Sequence, residues 1–258
     1  MKLSETFNLV PELYDRARPR YPAELYDHLA ENAGLRRGAR VLEIAPGSGI
    51  VTVELAERGC EVTAVEMGEG LAEVARRNVA SFPNARIDVA RFEDWAPPSE
   101  PFDLVCCATA FSWLERDVRL AKCASVLRPG GMLAVWDALH VAGGTAQFFI
   151  DVQDCYERWG PETPPGLRLQ ETADIPVNDY GLAASGEFEL LAVRDFPMEI
   201  PYSRAEYLDV LHTYSGHIAL RADLADGLYG CIGNLIDEKY GSRIAKAYAF
   251  RLLLARRR

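Results

Sequence analysis

The first half of the chain alternates short apolar runs with amphipathic stretches. The apolar runs have the length of strands, and the stretches between them repeat their apolar positions with helical spacing. This alternation is typical of strand–helix–strand units around a parallel, open and twisted sheet. The predicted strands are residues 41–44, 61–65, 86–89, 102–107 and 132–136. The predicted helices between them are residues 50–58, 70–80 and 114–127.

The pattern changes after residue 137. A helix is predicted from the glycine pair at 143–144 to residue 159, and the Pro- and Gly-containing stretch 160–166 predicts a loop. The remaining predicted elements are a strand at 187–194 and helices at 204–214 and 220–240. The closing segment 247–255 alternates weakly, which is compatible with antiparallel pairing to the strand near Leu190. The second half therefore extends the sheet and adds helices that cover it.

Composition is that of an ordinary globular chain, with 49% apolar and 26% charged residues. The formal net charge is −10 and the isoelectric point is about 5.0. A surface of this sign repels phosphate backbones and anionic lipid, so neither nucleic acid nor a membrane is an expected partner. Basic residues cluster only at Arg251 and Arg256–Arg258, where we expect a solvated tail.

The N-terminal residues lack the cationic segment, apolar run and cleavage site of a secretory signal, and no stretch approaches the roughly 20 apolar residues of a membrane span. A cytoplasmic protein is therefore predicted. The six cysteines are scattered without the C-x₂-C pairs of a zinc site, so no metal is expected. Adjacent Cys106 and Cys107 lie in an apolar run and are expected to be small core residues.

A glycine-containing turn follows the first predicted strand, where residues 43–49 read EIAPGSG. In open α/β sheets this strand-to-helix turn lies in the crevice that binds ligands, and its glycines leave the backbone unblocked. A dinucleotide site would need a third glycine, where the chain has Thr52 or Ile50. Glu43 also disfavours a pyrophosphate and favours a cationic or sulfonium ligand. A tight turn without a ligand is the alternative.

Glu66 directly follows the second predicted strand. An acidic residue there can accept hydrogen bonds from both hydroxyls of a ribose, because each of its two oxygens carries free lone pairs. An exposed glutamate at a strand end is the alternative. Together with the turn, Glu66 indicates a nucleoside ligand without a requirement for its phosphates. S-adenosylmethionine fits that description.

Six short segments carry a family likeness when they are taken in order. They are YDRARPRYP at 14–22, EIAPGSG at 43–49, AVE at 64–66, RFEDW at 91–95, FDLV at 102–105 and LRPGG at 127–131. The set resembles the class I S-adenosylmethionine-dependent methyltransferases, and more narrowly their small-molecule, type 11-like branch. The likeness covers residues 13–137. It departs from the family at Ala45, where glycine is usual, and at Arg91, where many relatives have aspartate.

The resemblance implies a Rossmann-like, doubly wound α/β fold: a seven-stranded sheet with the last strand antiparallel, plus a helical cover. It implies S-adenosylmethionine as the cofactor and S-adenosylhomocysteine as the product. The residues it implies for cofactor binding are Arg18, Tyr21, Glu43, Ala45, Pro46, Gly47, Gly49, Glu66, Met67, Phe92, Glu93, Ala108 and Thr109. Arg18 is expected to clamp the methionine carboxylate, or alternatively to make surface ion pairs in an N-terminal lid. Glu93 and the Phe92 N–H are expected to face the adenine.

The same likeness implies aromatic residues that face the methyl acceptor, namely Tyr14, Phe111, Trp113 and Tyr214. Transfer from a sulfonium is a direct displacement, and it needs a base only when the acceptor arrives protonated. Ser112 stands where relatives often have histidine, so the expected bases are His140 and His217. Core packing is the alternative for Phe111 and Trp113, and a structural role is the alternative for each histidine.

These segments predict a single methyltransferase domain over residues 1–258. It would comprise an N-terminal lid (1–40), a cofactor-binding core (41–141) and a remainder (142–258) with a helical insertion, the final strands and the acceptor cover. The expected function is methyl transfer to an O, N or C atom of a small molecule by a monomer or homodimer. One alternative is an inactive nucleoside-binding sensor or assembly protein, which the departures at Ala45 and Arg91 favour. The other is an NAD-dependent oxidoreductase, which the missing third glycine disfavours.

Overall fold

The computed structural model of the chain describes residues 3–160 and 163–258. The strands are β1 (Arg40–Ile44), β2 (Glu61–Glu66), β3 (Ala85–Val89), β4 (Phe102–Ala108), β5 (Leu127–His140), β6 (Phe188–Ser203) and β7 (Arg243–Arg257). The α-helices are α1 (Leu3–Thr6), α2 (Pro11–Ala17), α3 (Ala23–Asn32), α4 (Ile50–Glu57), α5 (Glu69–Asn78), α6 (Arg116–Val126), α7 (Ala146–Asp151), α8 (Gln153–Trp159), α9 (Leu182–Ser185), α10 (Arg204–Leu211), α11 (Ser215–Ile218) and α12 (Ala222–Tyr240).

The strands form a seven-stranded sheet in the order β3-β2-β1-β4-β5-β7-β6. Strand β1 is parallel to both of its neighbours, with Ile44 opposite Val65 of β2 and Cys107 of β4. The sheet is mixed, with the last strand antiparallel, which confirms the predicted Rossmann-like fold. The strand order reverses between β1 and β4, and sheets of this kind bind ligands outside the carboxyl ends of the strands at that point.

The central strands form because their residues are apolar on both faces. All but the first residue of β1 are buried, and Cys106 and Cys107 of β4 have no exposed surface. Parallel strands covered on both faces are expected to show such continuous apolar runs. Both cysteines are free thiols, and their full burial confirms their predicted place in the core.

Some predicted element bounds differ from those observed. Strands β5, β6 and β7 are longer than predicted, because their ends include polar and exposed residues that hide the apolar pattern. The helix predicted over 143–159 is two helices, α7 and α8, and it starts later because Gly143 and Gly144 have φ values of 133° and 59°. Such values do not fit a right-handed helix. The predicted loop 160–166 includes residues 161 and 162, which lie outside the described residues.

The chain divides into two compact units. We call the first the sheet unit, which comprises Pro19–Ala138, Val177–Phe196 and Phe250–Arg258. We call the second the helical unit, which comprises the residues up to Arg18, Leu139–Pro176 and Pro197–Ala249. The sheet unit contains strands β1 to β4 and the helices α3 to α6, and the helical unit contains α7, α8, α10, α11 and α12. None of the helices in the described part of the chain combines the length and apolar character needed to cross a bilayer.

In the helical unit, α8 and α12 are held together closely. A disulfide joins Cys155 of α8 to Cys231 of α12, with 5.7 Å between their Cα atoms. A Cβ at Gly227 would lie 2.3 Å from the ring of Trp159, so only glycine permits this approach of the two helices. The disulfide was not predicted, because its two cysteines are 76 residues apart and lie in different predicted helices.

The prediction of a solvated C-terminal tail was wrong for Arg251, whereas Arg256 and Arg258 are exposed. Arg251 lies on β7, is 7% exposed and donates from Nε and Nη2 to the carboxylate of Asp195 at 2.7 and 2.9 Å. Arg256 pairs with Glu189 at 2.7 Å. The local run of positive charge had indicated solvent, but strand β7 places these side chains beside acidic residues of β6.

Replacing Arg251 with methionine should lower the free energy of unfolding by about 2 kcal/mol, because it leaves the carboxylate of Asp195 partly buried without its partner. The matched control is Arg256→Met. That arginine and its partner Glu189 are 49% and 50% exposed, so its loss should cost less than about 1 kcal/mol. Urea unfolding of both variants measures the difference. Equal losses would contradict a structural role for Arg251.

Candidate functional site

The turn after β1 keeps the shape of a ligand-binding turn although it begins with alanine. Ala45, Gly47 and Gly49 all have positive φ, at 53°, 60° and 85°. The Ala45 N–H donates to the Val65 carbonyl at 2.9 Å, which fixes the start of the turn to β2. A Cβ at Gly49 would lie 3.3 Å from Ala75 of α5. Glycine at position 49 therefore satisfies both the left-handed backbone and the close approach of α5.

Glu66 connects this turn to the end of β2. It is 4% exposed, and its two carboxylate oxygens accept different backbone groups. One oxygen accepts the Gly47 N–H at 3.0 Å and the other accepts the Gly68 N–H at 2.7 Å. Burial raises the pKa of Glu66, although the backbone donors oppose that rise. The carboxylate is thus held rigidly at the carboxyl edge of the sheet.

Glu43 forms a second buried carboxyl on the neighbouring strand. It is 1% exposed, and it accepts a hydrogen bond of 2.6 Å from the Thr52 hydroxyl of α4. Burial raises the pKa of Glu43 to about 8, while Thr52 opposes the rise and the nearby Glu66 adds to it. The group is therefore largely protonated at neutral pH, because burial disfavours its charged form and the nearby Glu66 disfavours it further.

The loop after β3 contains the predicted adenine-facing residues. Phe92 is 3% exposed, and the Glu93 carboxylate accepts the Glu115 N–H at 2.9 Å. Arg91 lies 3.6 Å from the Glu93 carboxylate and 3.0 Å from that of Glu115. Lys122 donates to the Glu93 carbonyl at 2.6 Å, which further fixes the loop. The arginine that departs from the family pattern is thus paired with acids of this loop and of the start of α6.

The segment after β4 turns sharply at the same edge of the sheet. Thr109, which follows Ala108, has φ 56° and donates its N–H to the Trp136 carbonyl at 2.7 Å. Phe111 is fully buried, whereas Trp113 is 45% exposed. Only Trp113 of this predicted pair offers surface to a ligand. The ring of Tyr21 packs edge-on against Trp136, with 5.6 Å between the ring centroids.

Asp137 lies near the end of β5 and is not among the predicted site residues. The Tyr180 hydroxyl donates a hydrogen bond to its carboxylate. Burial raises the pKa of Asp137, and the bond from Tyr180 opposes that rise. Asp137 directly follows the predicted strand 132–136, as Glu66 follows the predicted strand 61–65. This position is a sequence signal that could have identified Asp137 as a site residue.

The helical unit contains the other predicted site residues. The guanidinium of Arg18 lies over the rings of Tyr14 and Tyr214, at 4.9 and 4.7 Å from their centroids. Its Nη2 donates to the Thr213 carbonyl at 2.7 Å. Three of the predicted residues from distant parts of the sequence, Tyr14, Arg18 and Tyr214, are therefore in direct contact.

The two predicted bases also lie in the helical unit. Nε2 of His140 is 3.4 Å from the Tyr214 hydroxyl. The residue keeps exposed surface, but the protein around its ring, with Lys246 and Arg18, lowers the pKa of His140 to about 3. Nε2 of His217 is 3.3 Å from the Tyr156 hydroxyl, and burial with a contribution from His212 lowers the pKa of His217 to about 4. Both imidazoles are neutral at physiological pH.

This geometry, a glycine turn and a fixed acid at the switch point of a seven-stranded sheet, is that of a Rossmann-like α/β protein. Comparisons with known proteins narrow that class. A family model described as a methyltransferase domain matches residues 41–131. An uncharacterised methyltransferase of Geobacillus kaustophilus is 30% identical over 172 residues, which cover 60% of this chain and 79% of the relative.

Two further relatives agree with this match. An uncharacterised methyltransferase of Mycobacterium tuberculosis is 33% identical over 136 residues, or 52% of this chain. The chain spans about half, 53%, of that relative's length. The structure of a candidate type II methyltransferase from Anaeromyxobacter dehalogenans superposes with a TM-score of 0.62 at 25% identity, covering 93% of this chain and 97% of the other. The chain belongs to the class I S-adenosylmethionine-dependent methyltransferase family.

Replacing Ala45 with glycine should raise the free energy of unfolding by about 1 kcal/mol, because glycine adopts a positive φ without the Cβ clash of alanine. The control is Ala110→Gly, where φ is −128° and the added freedom of the unfolded chain should destabilise by about 0.5–1 kcal/mol. Urea unfolding measures both changes. A loss of stability in Ala45→Gly would show that the turn is not strained by alanine.

The raised pKa of Glu43 makes stability depend on pH. The folded state retains the carboxyl proton up to about pH 8, whereas the unfolded state loses it near its usual pKa of 4.5. Stability contributed by the neutral form is therefore full at low pH and is lost as pH rises between these values. In Glu43→Gln this loss is absent, so the variant should gain on the order of 3 kcal/mol over the wild type at about pH 8.5 and little at about pH 4.5. Parallel stability curves for the two proteins would rule out this assignment.

Proposed function

We propose that this protein transfers a methyl group from S-adenosylmethionine to an O, N or C atom of a small molecule and releases S-adenosylhomocysteine. The observation that carries the proposal is the fixed carboxylate of Glu66 beside the Gly47 turn. Its oxygens accept the N–H groups of Gly47 and Gly68, the Met67 N–H contributes as a third backbone donor, and a carboxylate offers about four acceptor positions. An acceptor position is therefore left that is chemically suited to a ribose hydroxyl.

S-adenosylmethionine supplies an electrophilic methyl group on a sulfonium sulfur. The protein then needs no nucleophile of its own, and its task is to orient two reactants and exclude water, which is worth up to about 7–11 kcal/mol. In this proposal the nucleoside lies against the backbone of Ala45, Pro46, Gly47, Gly49 and Met67. Glu43 directly precedes Ala45–Gly49 on β1, and its carboxyl accepts the Thr52 hydroxyl of α4, which ties the turn to the helix that follows it.

The loop after β3 is proposed to hold the adenine through the Phe92 N–H and the Glu93 carboxylate. Support for this comes from the burial of Phe92 and from the three contacts that fix Glu93 in the loop. Arg91 also lies beside the Glu93 carboxylate. An adenine amino group would therefore share the Glu93 carboxylate with Arg91. Because many relatives have aspartate at position 91, cofactor affinity in this chain would depend on the contact between Arg91 and Glu93.

The methionine end is proposed to lie against Ala108, Thr109 and Tyr21 of the sheet unit. The sharp turn at Thr109 supports this, because its left-handed backbone is fixed by the bond to Trp136. Left-handed backbone in a residue other than glycine is strained and is concentrated at functional sites.

The acceptor is proposed to meet the aromatic rings of Tyr14 and Tyr214 in the helical unit, which both lie against the Arg18 guanidinium. His140 and His217 are the proposed bases for a protonated acceptor. Their lowered pKa values support this role in one respect, since a neutral imidazole can accept a proton. The net charge of −10 supports a small-molecule acceptor over a nucleic acid.

Titration calorimetry tests the cofactor assignment. The wild type should bind S-adenosylhomocysteine in the micromolar range and bind NAD far more weakly. Glu66→Ala should reduce the affinity for S-adenosylhomocysteine by about 100-fold, because a hydrogen bond to a charged acceptor is lost. Glu69→Gln, an exposed substitution three residues along the chain, should leave the affinity unchanged.

Each contrary outcome has a separate meaning. Binding of NAD without S-adenosylhomocysteine would overturn the methyltransferase proposal in favour of an oxidoreductase. Unchanged affinity in Glu66→Ala would overturn the ribose assignment. Tight binding of S-adenosylhomocysteine without methyl transfer to any small-molecule acceptor would favour a nucleoside-binding protein that lacks catalysis.

A further inference from the structure

Lys246 is a buried cation in the helical unit that the proposed reaction does not use. It lies on β7 and is 3% exposed. Its Nζ lies 4.4 Å from the centroid of the Phe149 ring and 5.4 Å from that of Tyr248. Side chains two apart on a strand share a face, so Lys246 and Tyr248 point the same way. The ammonium is therefore surrounded by aromatic surface.

The backbone around Lys246 is held in place on both sides. The Thr145 N–H donates to the Ala245 carbonyl at 2.8 Å, and the Ala245 N–H donates to the Thr145 hydroxyl at 2.9 Å. A Cβ at Gly144 would lie 2.3 Å from the Ala245 carbonyl oxygen, so the loop and the strand touch closely. The adjacent residue Lys246 is consequently directed to the opposite face with little freedom.

Nothing within residues 3–160 and 163–258 neutralises this ammonium. No carboxylate of these residues lies within ion-pair distance of Lys246, and no hydrogen bond from its Nζ is found among them. The buried carboxyls of the described chain, Glu43 and Glu66, belong to the sheet unit. Burial lowers the pKa of Lys246 to about 8, and no acid opposes that change. The side chain is still mostly cationic at neutral pH.

A second cation lies in the same unit. Arg18 and Lys246 both lower the pKa of His140, whose ring packs against Tyr214 and Tyr248 with centroids 5.4 and 5.6 Å apart. The Nε of Arg18 is inaccessible to solvent and finds no acceptor among the described residues. Positive charge therefore accumulates around a tyrosine- and histidine-lined cluster. Burying a charge without a partner costs free energy. A bound ligand of opposite charge would offset that cost.

We propose that Lys246 is the anchor of an anion subsite in the helical unit, and that it binds the carboxylate of an organic acid with an aromatic or apolar body. One buried ammonium matches the single charge of a carboxylate, and the rings of Phe149 and Tyr248 suit an apolar body. This inference rests on the proposed function, and with it the methyl acceptor is an organic carboxylate. A dianionic phosphate is less well matched, because the neighbouring Ala245 N–H is already bonded to Thr145.

Ligand-observed NMR with benzoate and its neutral isostere benzamide tests the subsite. The wild type should bind benzoate at least about tenfold more tightly than benzamide. Only benzoate carries a negative charge that can pair with the Lys246 ammonium. Lys246→Met should abolish this preference, and Lys246→Arg should retain part of it. The control Lys239→Met, in which a 57% exposed lysine of the same unit is replaced, should retain the preference in full.

Equal binding of benzoate and benzamide to the wild type would overturn the proposal, and so would a preference that survives in Lys246→Met. Saturable binding of inorganic phosphate in place of benzoate would overturn the carboxylate assignment. Titration with S-adenosylhomocysteine separates this proposal from the proposed function. A Lys246→Met protein that binds S-adenosylhomocysteine like the wild type is folded, so its lost benzoate preference supports the subsite. Failure of every variant to bind S-adenosylhomocysteine would overturn methyl transfer while a Lys246-dependent benzoate preference stands.

Discussion

The carboxylate of Glu66 is the interaction on which the site depends. By accepting the N–H groups of Gly47 and Gly68, it joins the turn after β1 to the turn after β2. These turns come from adjacent parallel strands, whose carboxyl ends the sheet brings to one edge. A buried acceptor without these donors would carry a large desolvation cost, so the bonds stabilise the turns and the carboxylate together. The same hydrogen bonds fix the orientation of the Glu66 carboxylate, which a residue that accepts hydrogen bonds from a ligand requires.

Buried charge is the second organising feature. Burial keeps Glu43 largely protonated, and the nearby Glu66 adds a smaller contribution. Lys246 in the helical unit is a buried cation whose charge no acid of the described residues offsets. The buried cations of the sheet unit have hydrogen-bond acceptors: Arg251 pairs with Asp195, and Arg119 donates to the Phe111 and Tyr180 carbonyls. Lys246 differs from them because no acceptor of the described residues binds its ammonium, and strongly perturbed groups of this kind are concentrated at functional sites.

The family motif tolerates its two departures for different reasons. Ala45 keeps the left-handed backbone of the glycine it replaces, because its N–H bond to Val65 and the following glycines fix the turn. Arg91 is accommodated by acids in its own loop and at the start of α6. The first departure costs backbone strain and leaves the shape intact. The second changes which groups surround Glu93, so it bears on ligand contacts more than on the fold.

The sequence by itself determined the sheet and the cofactor edge, because both follow from local patterns. Short continuous apolar runs specify β1 and β4, and a glycine turn or an acid at a strand end stays at the carboxyl edge whatever surrounds it, as Glu66 does. Only the tertiary structure decided the contacts of Arg251 and Lys246. The local cluster of basic residues indicated a solvated tail at Arg251, and Lys246 lies outside the predicted segment 247–255. The ion pair with Asp195 and the burial beside Phe149 depend on residues far away in the chain. Charge and burial at such positions are set by packing, which no short stretch of sequence encodes.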